Sequence, residues 1–275
     1  MRTKSKLNAL LCGSLVAMLA ASQLVAQDTP SVIRYEPNGP GGKGLVGPNA
    51  KESGTGDEKT TSFYYYRSAG ASKDKSGIWE AANYRSPLES TKETEFIHVI
   101  RGSLTLGYKD GREERFQAGD NLLIPRGAEV AWKGTNNLRE FWVTFDSTGP
   151  EPKGSTSVVK FERDGPPGKG LKPASPPEWH AKEYQYYSSA TGSSAGVWET
   201  AGFTSQKFYT PNECELMVFL DGKVTLSTPD GKSQTFKAGD IALVPKGATH
   251  KWSSGRVRKF WVIFDPDPRS ATGTN

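Results

Sequence analysis

A single unit written twice constrains this chain more than any other feature of its sequence. Val32-Ile33-Arg34-Tyr35-Glu36 recurs as Val158-Val159-Lys160-Phe161-Glu162. The loop Gly39-Pro40-Gly41-Gly42-Lys43-Gly44-Leu45 recurs as Gly165-Pro166-Pro167-Gly168-Lys169-Gly170-Leu171. Gly77-Ile78-Trp79-Glu80 returns as Gly196-Val197-Trp198-Glu199, and a tyrosine cluster precedes each (Tyr64, Tyr65 and Tyr66; Tyr184, Tyr186 and Tyr187). From Glu93 to Trp132 the second copy lies 120 residues on without a gap, with 16 of 40 positions identical. Six of the seven tryptophans pair across the repeat: Trp79 with Trp198, Trp132 with Trp252, and Trp142 with Trp261. Both halves close on Phe-Trp-Val-x-Phe-Asp, at 141–146 and 260–265. A repeat of this length is a domain rather than a solenoid unit, so the 275 residues hold two copies of one fold.

Within each copy the segments are short, aromatic and β-branched, and no window sustains a helical apolar period. Asp110-Gly111 and Asp230-Gly231 are hairpin signals. Arg101-Gly102 is expected to turn a strand pair over Phe96–Leu106, and Ala118-Gly119-Asp120 to open a strand that ends at Pro125-Arg126-Gly127. Short strands at even spacing predict an all-β sandwich or barrel.

The ends of the chain change how its charge is read. Arg2, Lys4 and Lys6 precede an apolar run from Leu7 to Leu19, and Leu24-Val25-Ala26 offers a small residue before Gln27. This is the pattern of an export signal over residues 1–26, too short in its apolar core for a membrane anchor. Removing it takes three of the 35 basic residues and none of the 30 acidic ones, so the formal +5 becomes +2. Cys12 goes with it, leaving Cys214 and no intrachain disulfide. The mature chain is expected to be periplasmic or secreted, with no integral membrane segment. Its mixed, dispersed charge offers no stripe for nucleic acid.

The order Glu-x6-Gly followed by Gly-Asp-x4-Pro-x-Gly resembles the two motifs of the cupin superfamily. It stands here as Glu95…Gly102 with Gly119-Asp120…Pro125-Arg126-Gly127, and as Glu215…Gly222 with Gly239-Asp240…Pro245-Lys246-Gly247. Gly-x-Trp-Glu, Glu-x-Glu and the tryptophan after Pro-x-Gly are similar to the branch of ureidoglycine aminohydrolase and the ethanolamine-utilisation cupins. The resemblance implies two tandem jelly-roll (double-stranded β-helix) domains related by internal duplication. The expected layout is a signal over 1–26, an arm over 27–59, cupin 1 over 60–146, a linker and repeated arm over 147–179, cupin 2 over 180–265, and a tail over 266–275.

Metal-binding cupins of this kind carry two early histidines, a glutamate and a late histidine. Leu88 to Glu93 contain no histidine, and Val130 stands at the late position, so cupin 1 lacks the family's ligand set. Cupin 2 keeps Glu215 and His250, with Phe208, Tyr209, Thr210 and Pro211 where the histidine pair would be. Glu213 shares a strand face with Glu215 and is the candidate third ligand for a divalent metal (Mn, Fe or Zn).

Glu93 with Glu95, and Glu213 with Glu215, put two carboxylates on one strand face. Close carboxylates repel, so one of each pair is expected to hold its proton unusually well. The alternative is that each pairs with a buried arginine or lysine, for which Arg139 and Arg258 are available. Trp132 and Trp252 share the face of Val130 and His250 and form an aromatic wall. His98 is expected on the opposite face from Glu95, and His180 in a loop. Leu216 to Leu220 are apolar on both faces, which predicts packing on the partner cupin or on another subunit.

The functional expectation is a bicupin that binds a small polar molecule through Glu93, Glu95, Trp132, Glu213, Glu215, His250 and Trp252. The alternative is a metal-dependent enzyme, of ureidoglycine aminohydrolase or isomerase type, acting in cupin 2.

Overall fold

The computed structural model describes residues 30–54, 59–68, 73–148, 156–176 and 179–265. The expected signal (1–26), the tail (266–275) and part of the linker lie outside these residues. No helix among those described is long and apolar enough to cross a membrane.

Each half is one curled antiparallel sheet. The ten-stranded sheet of the first half runs Val159–Lys160, Asn121–Ile124, Thr94–Tyr108, Glu129–Phe145, Lys75–Ala81, Thr60–Arg67, Ala50–Ser53. Its nine-stranded counterpart runs Ile33–Tyr35, Ile241–Val244, Cys214–Ser227, Lys251–Phe264, Ser194–Thr200, Ala181–Ser188, Lys172–Pro173. The all-β, twice-used jelly roll expected from the repeat is the observed fold.

One local expectation fails. Arg101-Gly102 does not reverse the chain, because Thr94–Tyr108 is a single strand of 15 residues bent there. Gly102 sits at φ 77°, and a Cβ on it would lie 2.7 Å from the Thr135 carbonyl oxygen of the neighbouring strand. The ladder slips its register at this point, between Thr135 and Arg139. The glycine therefore bends a long strand around the barrel, where a hairpin would have ended it. The two Asp-Gly hairpins form as expected, with Gly111 N–H donating to Tyr108 O and Gly231 N–H to Thr228 O.

The arms do what no local pattern signals: they are exchanged. Ile33–Tyr35, ahead of the first cupin, pairs with Ile241–Val244 of the second. Val159–Lys160, ahead of the second cupin, pairs with Asn121–Ile124 of the first. The Asp of each Gly-Asp motif meets the basic residue of the arm, Arg34–Asp240 at 2.9 Å and Lys160–Asp120 at 3.8 Å. Each arm then returns to its own half and is gripped by an arginine. Arg139 donates to Pro37 O and Asn38 Oδ1 at 3.0 Å each, and Arg258 pairs with Asp164.

Between the two sheets lies one apolar layer drawn from both copies, including Phe96, Phe141, Phe145, Leu216, Val218, Phe260 and Phe264. Leu216 and Val218 face this layer, while Met217 and Phe219 face the second barrel's own core. A strand apolar on both faces is thus used within one chain, against the partner cupin. Tyr65, Tyr66, Tyr184 and Tyr186 pack against the same layer, which places the tyrosine clusters at the interface.

Phe161, carried on the second arm, sits 5.3 Å from Phe96 of the first cupin and 5.5 Å from Phe260 of the second, ring centre to ring centre. Phe161→Ala is expected to cost about 3–5 kcal/mol of unfolding free energy, the range for truncating a buried aromatic. Urea denaturation followed by tryptophan emission should still show one transition. Two separate steps in the wild-type protein would show that the barrels do not depend on the exchanged arms.

Candidate functional site

The Gly-x-Trp-Glu motif divides its work between the two faces of its strand. A Cβ on Gly77 would sit 3.3 Å from Trp142 Cζ2, and one on Gly196 would sit 2.8 Å from Trp261 Cζ2. The glycine makes room for an indole laid across the strand. Two residues on, Trp79 and Trp198 line the barrel cavities. The glutamate points to the other face, where Glu80 receives Arg139 and Glu199 receives Arg258. Neither arginine is the partner of a Glu-x-Glu pair; a lysine takes that place in each half, Lys75 at Glu93 and Lys259 at Glu215. Arg139 and Arg258 hold the motif glutamates and the arms instead.

The first cavity has a volume of about 690 Å³. Glu93, Glu95 and Trp132 line it as expected, together with Trp79, Trp142 and a third carboxylate, Glu140. Register explains the convergence. In the ladder Glu140 is opposite Trp79, Trp142 opposite Gly77, and Thr144 opposite both Lys75 and Glu95. Alternation puts Glu140, Trp142 and Thr144 on the cavity face and Arg139, Phe141 and Val143 on the other.

Lys75 Nζ lies 3.2 Å from Glu93. Glu95 is pushed up to about 8, first by burial and then by the charge of Glu93, with Lys75 offsetting part of this. Glu95 is therefore the carboxyl of this pair that holds its proton. Glu140, only 3% exposed, is raised well above the usual carboxylate range by burial and by Glu95. Among the described residues its Oε2 has no hydrogen-bond partner, and neither has Thr144 Oγ1. The sequence reasoning missed Glu140, although the offset between the terminal Phe-Trp strands sets it against Lys259, an opposite charge at the same place.

The second cavity, about 530 Å³, is lined by Glu213, Glu215, His250 and Trp252 as expected, and by Trp179, Tyr209 and Lys259. Lys259 Nζ lies 2.5 Å from Glu215 Oε1, 5.1 Å from the centre of the Trp198 ring and 4.7 Å from that of Trp252. His250 Nδ1 is 2.9 Å from the carbonyl oxygen of Ala248, so that nitrogen is the donor. Tyr209 fills the place of the missing histidines, pairing its backbone with His250 and standing 6.1 Å from its ring. Burial and the neighbouring Glu215 raise Glu213, and Lys246 lowers it.

Glu213, Glu215 and His250 share this cavity without forming a ligand set. Among the described residues no group of three or more His, Cys, Asp or Glu side chains is placed to hold a metal ion. Glu215 is bonded to an ammonium group, which supplies the positive charge a metal would bring. The donors present therefore do not fit the divalent metal that the resemblance implies for cupin 2.

The remaining candidates stand apart. His98 is turned away from the cavity and bonds Asn121 at 2.9 Å. His180 does not line either cavity, although its neighbour Trp179 does. Cys214 is buried at the interface between halves, its thiol pushed up to about 11 by burial.

Comparison with known proteins gives the family directly. The family model for the EutQ-like cupin domain matches residues 69–139 and again 188–260. A protein of unknown function from Pseudomonas syringae pv. tomato has a structure similar to this chain, with a TM-score of 0.67 at 22% identity, over 85% of this chain and 99% of that one. Escherichia coli Ylba gives a TM-score of 0.53 at 11% identity, covering 93% and 99%. Streptomyces albus HEPD, solved with 2-hydroxyethylphosphonate and Fe(II) bound, gives 0.55 at 9% identity, covering 90% and 80%. At these identities the likeness is one of fold. No curated protein matches the chain.

The raised carboxylates bear on stability. An acid whose folded value lies above its unfolded one contributes stability below the unfolded value, and that contribution is lost as pH climbs through the folded value. For Glu95 that window runs from the ordinary glutamate value of 4.5 to about 8. The melting temperature of the ligand-free protein is expected to fall across this window. Glu140→Gln should flatten the fall and raise stability by about 1–3 kcal/mol at its alkaline end, because it removes a buried carboxyl whose ionisation is opposed by burial and by Glu95. Calorimetry at matched ionic strength, at both ends of the window, checks the sign.

Proposed function

The chain belongs to the EutQ-like cupin domain family, with the domain present twice, and from that premise we propose an exported bicupin that binds small polar molecules inside its barrels. The observation that carries this reading is the lining of the first cavity. Buried carboxylates stand there against indole walls, in a volume suited to a small ligand. Empty, the arrangement is costly, because Glu95 and Glu140 give up water without gaining a cation of their own. A ligand with matching donors repays that cost. Export rests on the basic, apolar and small-residue pattern of residues 1–26.

Binding is the better reading than metal-dependent catalysis in the second barrel. His250 supports a metal centre there, but Lys259 sits on the carboxylate that such a centre would use.

Three measurements test the proposal. A thermal-shift screen of small amines, polyols and carboxylic acids should find compounds that raise the melting temperature of the mature chain. A ligand at about 100 times its Kd adds about 2.7 kcal/mol. Trp132→Ala and Glu95→Gln should each weaken such a ligand by about tenfold or more, whereas no saturable ligand at all would refute the reading. Elemental analysis after loading with Mn, Fe and Zn should find less than about a tenth of an equivalent per chain, the converging donors being too few. Finally, mass spectrometry of protein recovered from a bacterial periplasm should place its N-terminus at Gln27.

A further inference from the structure

The two barrels differ at one aligned position in a way that names the ligand class. In the second barrel Lys259, 6% exposed, extends into the cavity. Its ammonium group is bonded to Glu215 and lies over the faces of Trp198 and Trp252. Carboxylate contact with two indole faces is how a desolvated organic cation is held, since the ring quadrupole and the carboxylate both attract positive charge. The protein thus carries its own ammonium ligand in that barrel.

The residues of that cage have counterparts lining the cavity of the first barrel. Glu95 corresponds to Glu215, Trp79 to Trp198 and Trp132 to Trp252, and all three line the cavity. The position of Lys259 is taken by Glu140, for each lies opposite the tryptophan of its Gly-x-Trp-Glu motif. The cage therefore has a second carboxylate where its twin has an ammonium. Glu140 is almost fully buried, lines the cavity, and leaves Oε2 without a partner. Lys75 is engaged at Glu93, and Arg139 is on the opposite face with Glu80.

We propose that the first barrel binds a small organic ammonium compound, its cationic nitrogen held by Glu95 and Glu140 against the faces of Trp79 and Trp132. This rests on the reading of the first barrel as a ligand cavity and adds the charge and chemical class of the ligand. A primary amine suits the cage best, because its three N–H donors match two carboxylates and the unpartnered Thr144 hydroxyl.

The probe is n-propylammonium, which mimics the end of the Lys259 side chain, compared with propan-1-ol, its neutral counterpart, and xylitol, a neutral polyol. Titration of the full mature chain, followed by calorimetry and tryptophan emission, should give saturable binding of n-propylammonium. Propan-1-ol should bind about tenfold more weakly or not at all. Glu140→Lys should fill the first cage from within, as Lys259 fills the second, and abolish amine binding. Glu95→Gln, nearly isosteric, should weaken it by about 10–100-fold and serves if Glu140→Lys does not fold. Amine binding that is unchanged in these variants, or matched by propan-1-ol, would overturn the proposal. Saturable binding of xylitol without that of the amine would also overturn it, while leaving the first barrel a ligand cavity. Binding of none of the three, with no hit in the wider screen, would end both readings.

Discussion

Everything in this molecule depends on the apolar layer between the two sheets and on the arms that cross it. Neither barrel is closed on its own residues: the outermost strand beside Asn121–Ile124 is Val159–Lys160, and the one beside Ile241–Val244 is Ile33–Tyr35. An uncovered sheet edge is a liability, and here each copy covers the edge of the other. The layer beneath is filled by the outward-facing residues of the same strands that carry the sites. The relative placement of the barrels and the closure of each sheet are therefore set by one set of contacts, Phe96, Phe161 and Phe260 at its centre.

Strand alternation then separates support from chemistry. On Glu129–Phe145 the residues Phe141, Val143 and Phe145 belong to the layer, while Glu140, Trp142 and Thr144 face the cavity. The same holds for Lys251–Phe264, where Phe260, Val262 and Phe264 pack and Lys259, Trp261 and Ile263 line the second cavity. A duplicated unit of this kind can reverse a charge inside one barrel without altering a single interface contact. Exchanging Glu140 for Lys259 across the copies is that kind of change. It turns an acidic, unsatisfied cage into one that is satisfied internally.

Much of this was legible in the sequence because repetition and period-two alternation are strong, local signals. The duplication, the jelly-roll class, the paired carboxylates Glu93 with Glu95 and Glu213 with Glu215, and the walls Trp132 and Trp252 all follow from them. The errors have physical causes. Offering Arg139 and Arg258 as basic partners of the Glu-x-Glu pairs ignored the alternation that turns them away from the cavity, toward Glu80 and Glu199, and leaves that place to Lys75 and Lys259. The expected reversal at Gly102 mistook a bend for a turn, since glycine at positive φ serves both and only the register of the neighbouring strand distinguishes them. The exchange of arms had no local signature at all. Val-Ile-x-Tyr reads as a strand whichever sheet it joins, and its partner lies about two hundred residues away.

The poor fit of the second barrel's donors to a divalent metal has a physical reason that also explains that barrel. A cupin that has lost its early histidines keeps a glutamate in a poorly solvated barrel, and that carboxylate needs a positive charge. Lys259 supplies it from the neighbouring strand, with two indoles to shield the pair, and a permanent ammonium replaces an exchangeable cation. Truncating such a buried partner leaves an uncompensated charge, so the pair is locked in once formed. In the first barrel no ammonium group among the described residues is bonded to the corresponding carboxyl, and Lys75 acts on it only from its place at Glu93. Glu140 adds a further buried carboxyl group that holds its proton. A bound cation would let those carboxyls ionise, which is the difference between a barrel that is complete as folded and one that is completed by what it binds.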